Sequence, residues 1–178
     1  MTNNIKSLIV LLIVTLAGVA GAVGASAQAV SLADIGHYVY TSESDGFEIA
    51  LPRECVKMSA NEYGRDYSCN IKEGLVSVSV EVKDPAVRTD ADVANFLTGF
   101  RGTLQHAKNV KVLRETPVHL GKYRGAAFEL TIDGDKAYMT TLCWNKTTIN
   151  IAGRALSAVP NSGKLIGDAV KSFALKAK

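Results

Sequence analysis

Residues 75–82 read LVSVSVEV, with Val76, Val78, Val80 and Val82 on one side of an extended chain and Leu75, Ser77, Ser79 and Glu81 on the other. That period of two belongs to a strand, and β-branched side chains stiff at χ1 favour the same state. RDYSCNI (65–71) precedes this run through Lys72-Glu73-Gly74, a short Gly-containing connection that makes the two a hairpin. A lone hairpin is marginal in water, so the chain must supply further layers.

It does so on both sides. In GFEIALP (46–52) Phe47, Ile49 and Leu51 alternate with Glu48 and Ala50 until Pro52 ends the strand. Residues 53–64 read as loop, and 28–45 as an N-terminal extension closing in a polar cluster. After Asp84-Pro85, which is expected to end the hairpin, the period changes. Val93, Phe96, Leu97, Phe100 and Leu104 recur along one side of a helix, with Thr89 and Asp92 spaced as a capping box. Gly99 and Gly102 interrupt that helix, which implies either weak stability or a close backbone approach.

Strands then return. NVKVLRETPVHLG is extended, Lys122–Gly125 is a turn, and Phe128, Leu130 and Ile132 alternate in GAAFELTI. Asp133-Gly134 is a strong hairpin signal, because a tight primed turn needs residues that tolerate positive φ. Tyr138, Thr140, Leu142 and Trp144 share one face of the next strand, Asn145-Lys146 turns the chain, and TTINIAGR runs back. Leu165, Ile166, Ala169, Val170 and Phe173 mark a final helix, capped by Asn161 or Ser162. The expected class is α+β: an antiparallel sheet of about six or seven strands packed with two helices, in one domain over 46–178.

The first 27 residues are unlike the rest. Lys6 is their only charge, an apolar run spans Leu8 to Val19, and Ala25-Ser26-Ala27 precedes Gln28. This is the pattern of a cleavable signal peptide; an uncleaved anchor is the rival reading, opposed by the Gly/Ala-rich second half. Cleavage leaves about 150 residues, the usual size of one domain. The formal charge of +3 falls to +2 without Lys6, too mild to point to nucleic acid. The localisation expected is periplasmic or secreted.

Cys55, Cys69 and Cys143 all lie in the exported part, where disulfides persist. An odd number leaves at least one free or paired with another molecule. Cys55 with Cys69 is the favoured pair, since both flank strands and the loop between them is short.

No side-chain constellation spells out a reaction. Cys143 beside Trp144 has the look of a reactive thiol, and His119, with Asp133 or Glu129 to orient it, is the base it would need. A strand, however, puts Cys143 and Trp144 on opposite faces, and free cysteine in mid-strand is usually a small buried hydrophobe. His37, His106 and His119 lack ligand spacing, Cys55 and Cys69 are too far apart for a zinc knuckle, and Asp133-Gly134-Asp135 is too short for a calcium loop. No metal and no cofactor are expected. Ser162-Gly163-Lys164 lacks the rest of a phosphate loop, and the Asn145-Lys146-Thr147 sequon matters only in a eukaryotic secretory pathway.

What remains is surface charge. Arg101, His106, Lys108, Lys111 and Arg114, followed by Lys122 and Arg124, form a basic set that would steer an acidic protein partner or anionic lipid. The bland alternative is a solvated set of charges that keeps an edge strand soluble.

The strand GFEIALP, the turn and strand GKYRGAAFELTI, the hairpin that follows and the helix ending VKSFAL resemble the PsbP-like superfamily over roughly residues 46–175. The resemblance implies an α/β/α sandwich and an accessory, assembly or binding role, with no shared catalytic residues. It does not account for a Cys55–Cys69 pair. The function expected is therefore an exported, non-catalytic binding or accessory module with a protein partner. An envelope inhibitor or immunity-type protein, and a thiol enzyme using Cys143 and His119, are the alternatives.

Overall fold

The computed structural model describes residues 32–176, apart from the side chains of Ile35, Lys83, Asp84 and Pro85. The leader expected at 1–27 lies outside the described residues. Among them no helix is long and apolar enough to cross a membrane.

A short helix α1 (Leu32–Ile35) leads into β1 (Tyr38–Ser42), β2 (Phe47–Leu51), β3 (Lys57–Asn61), β4 (Gly64–Ile71) and β5 (Gly74–Val87). Helix α2 (Asp90–His106) follows, then β6 (Val110–Leu120), β7 (Tyr123–Ile132) and β8 (Asp135–Ala155), and lastly α3 (Ser162–Lys171) and β9 (Ala174–Leu175). β1, β2 and β9 form a small antiparallel sheet; the large sheet has the order β3-β4-β5-β8-β7-β6.

β8 is one hydrogen-bonded run that doubles back at Asn145-Lys146. Stretched out at about 3.3 Å per residue, Thr141 and Asn150 would stand about 30 Å apart. The Thr141 hydroxyl instead donates to Asn150 Oδ1 at 2.7 Å, and Arg154 reaches Asp135 at 2.9 Å. Asn145, at φ +53°, makes the bend where the sequence places a turn. Counting both arms of β8, the large sheet has seven strands, all antiparallel.

The sheet buries both faces. On one, Val76, Val78, Leu142, Ile149 and Ile151 meet α3 through Leu165, Ile166, Ala169 and Val170, and meet β2 of the small sheet through Phe47, Ile49 and Leu51. On the other, Phe128, Leu130, Ile132 and Met139 pack under Val93, Leu97, Phe100 and Leu104 of α2, with the Phe100 and Phe128 rings 5.4 Å apart. Burying each such side chain contributes about 1.5–3 kcal/mol. The result is the expected α/β/α layering, with the capping box of Thr89 and Asp92 formed at the start of α2.

Five details differ from the sequence reading. Lys57–Asn61, read as loop, is strand β3, exposed along its whole length and held by pairing with β4. Residues 38–42, read within an extension, form β1 against β2. β5 does not stop at Asp84-Pro85 but resumes at Val87 opposite Asn145 after a register shift. Neither Asn161 nor Ser162 caps α3 by its side chain: Asn161 takes φ +63° at the N-cap, and the Ser162 hydroxyl donates to Leu156 O at 2.6 Å. The helix also ends at Lys171, freeing Ala174 and Leu175 to pair with Glu48 and Phe47.

Candidate functional site

Cys143 is wholly buried, its thiol 3.5 Å from Arg124 O in the core beneath α2. Arg124 lies opposite Cys143, and His119 lies opposite Arg124, so a whole strand separates thiol and imidazole. Neighbouring strands are about 4.8 Å apart, which puts the two backbones about 10 Å from each other. His119 is exposed on the edge strand. Asp133 is engaged by Asn109 at 2.7 Å and Arg154 at 3.4 Å, while Glu129 pairs in register with Tyr138 on the opposite face of β7 from Phe128. Thiol, base and orienting acid therefore do not converge.

The disulfide between Cys55 and Cys69 is present, with 5.0 Å between Cα atoms. It ties the approach to β3 onto β4. Among the described residues no group of three or more His, Cys, Asp and Glu side chains could hold a metal ion.

The basic set separates into two groups. Lys122 and Arg124 lie at the β6–β7 turn, the Lys122 ammonium 5.8 Å from the Tyr123 ring centre and the Arg124 guanidinium donating to Gly121 O at 2.7 Å. Lys111 lies near the far end of β6, about 30 Å away along the strand. Arg101 is neutralised by the Glu115 carboxylate, which it grips through Nε at 3.0 Å to both oxygens and Nη2 at 2.6 Å to one. That grip fastens α2 to the edge strand.

Beside this ion pair opens a groove of about 390 Å³ between the C-terminal half of α2 and β6. Arg101, Leu104, Gln105, Val110, Lys111, Val112, Glu115 and Phe128 line it. Val112 is 39% exposed and Leu113, the extra residue of a β-bulge, 53%. Lys108, Lys111 and Arg114 are exposed around it, and among the described residues none has a carboxylate within ion-pair distance. Among the described residues β6 bonds only to β7, which leaves its outer edge without a further strand.

Two buried polar clusters have no signature in the sequence. Under α2, Asn150 accepts from Thr141 and donates to Glu81 Oε1 at 3.2 Å, to which Ser79 also donates at 3.2 Å. At the β1–β2 turn, the Asp45 carboxylate takes hydrogen bonds from Arg65 and Tyr67. Burial pushes that carboxyl up, but the bonds from Arg65 and Tyr67 outweigh it and hold Asp45 below its ordinary range. Asp135 is likewise pushed up by burial and pulled further down by hydrogen bonds from Ser157 and Arg154. Both clusters are closed by their own partners and serve to lock elements in place.

Three layers in this order, with a doubled-back β8 at the centre and a terminal helix over it, define the PsbP-like fold. The solution structure of cyanobacterial PsbP (CyanoP) from Synechocystis sp. PCC 6803 aligns over 87% of this chain and 98% of its own, with TM-score 0.51 and 12% identity. A Pseudomonas aeruginosa protein of unknown function aligns over 68% of this chain and 84% of its own, with TM-score 0.39 and 9% identity. At these identities the first likeness is one of fold alone. No family model matches the chain, and no curated protein matches it.

Proposed function

We propose that this protein is an exported accessory module that works by docking a protein partner at the groove between α2 and β6. One observation carries the reading: an open strand edge, a 390 Å³ concavity and three cations without ion-pair partners lie together at Lys108–Arg114. The leader pattern at 1–27 and the Cys55–Cys69 disulfide support export, since disulfides persist in oxidising compartments. The PsbP-like fold is compatible with an accessory role, although fold never fixes function.

The test is site-specific crosslinking in the native host. A photoreactive residue at Leu113 should yield one dominant adduct, and the same residue at Met58 on the opposite edge should not. Equal or absent adducts at both positions would count against docking here.

A further inference from the structure

We infer that the groove takes an extended acidic segment of the partner, which adds to the free edge of β6 as an eighth strand; this rests on the docking reading above. The register supplies the reason. Val110, Val112 and Glu115 stand opposite Ile132, Leu130 and Phe128, on the α2 side of the sheet. Lys111 and Arg114 stand opposite Thr131 and Glu129, on the other side. A strand laid along this edge alternates its side chains between the same two sides. Those on the α2 side meet the groove, where Val110 and Val112 present apolar surface over the buried Leu104 and Phe128 and Arg101 already neutralises Glu115. Those on the other side meet Lys111, with Lys108 at the end of the strand. Arg114 stands in register with Glu129 without an ion pair between them, and the two lysines nearest the end of the strand carry most of the preference for acid.

The complementary sequence is thus apolar on one parity and acidic on the other. Main-chain hydrogen bonds to the edge supply affinity, and the alternating side chains supply selectivity. Pro117 has no N–H to offer and sets the far limit, which leaves Val110–Thr116 as the pairing stretch. Self-pairing of two copies along β6 is disfavoured, because it brings like charges of the basic edge together.

The experiment is amide-resolved NMR on the isotope-labelled exported protein, with three synthetic nonapeptides as probes: alternating Val/Glu, alternating Val/Lys, and the Val/Glu peptide N-methylated on alternate amides. The Val/Glu peptide should shift amides within 110–116 and at the end of α2. Its affinity should fall about tenfold in Lys108→Glu/Lys111→Glu and less in the double Gln variant, and should weaken with added salt. N-methylation on the pairing edge should abolish it. No shift at β6, an equal response to the Val/Lys peptide, unchanged binding of the N-methylated peptide, or a protein dimer through β6 would each overturn the inference. The crosslinking result at Leu113 stands apart from these: a dominant adduct there with no Val/Glu binding would retain docking and reject strand addition.

Discussion

The glycines of this chain do opposite things, and the difference is spatial. A Cβ built at Gly99 or Gly102 meets nothing within 4 Å, so neither glycine serves a close approach and both merely cost α2 helix propensity. Gly99→Ala should therefore raise stability by about 0.5–1 kcal/mol in urea unfolding. At Gly153 a Cβ would lie 2.5 Å from Ile166 Cγ2 and 2.8 Å from Val170 Cγ2, where α3 presses on β8. Gly153→Ala should lower stability by about 1–3 kcal/mol in the same assay, the ordinary cost of overpacking. Buried Cys143 is inert for the same reason of packing: with none of its surface exposed, its thiol should resist iodoacetamide in the folded protein and react once urea unfolds it. Rapid alkylation in the native state, read by mass spectrometry, would reopen the thiol-enzyme reading.

At the scale of elements, the strands that bury a face were legible, and among the more exposed ones β6 was read as extended while β3 and β1 were not. β5 announces itself by alternating valines, and α2 by its apolar stripe and capping box, because burial imposes a period. KMSAN carries no such period: β3 is exposed throughout, so pairing and the Cys55–Cys69 link hold it, not a core. Removing both cysteines should accordingly cost about 2–4 kcal/mol, with faster hydrogen exchange in β3 before the core responds. β1 is similarly mute, its turn pinned to β4 by Asp45 with Arg65 and Tyr67, contacts that only the fold brings together. Since folding lowers the Asp45 and Asp135 pKa values, their contribution is present above the unfolded carboxylate pKa of about 4 and disappears as pH falls through the folded values. Stability should thus decline below pH ~4, and Asp45→Asn should flatten that part of the profile while lowering stability at neutral pH.

For the whole molecule, the sequence named a set of cations without showing how the fold would group them. Arg101, Lys108, Lys111 and Arg114 do gather at one end of the β6 edge, but Lys122 and Arg124 belong to the other end, and a charge count cannot see the length of a strand between them. Nor could it see that Glu115 silences Arg101, fourteen residues away. Arg101 and Glu115 side chains are 41% and 30% exposed, so breaking their pair should change stability by less than about 1 kcal/mol. Docking should respond far more, and with opposite signs. Arg101→Ala leaves Glu115 as an uncompensated anion in the groove and should weaken an acidic ligand, whereas Glu115→Ala releases the Arg101 cation and should strengthen it. Titrating both variants with the Val/Glu peptide, alongside their urea midpoints, distinguishes this from simple loss of the α2–β6 clasp, which would weaken binding in both. Added salt should draw the two affinities together, because only the charge-dependent part is screened.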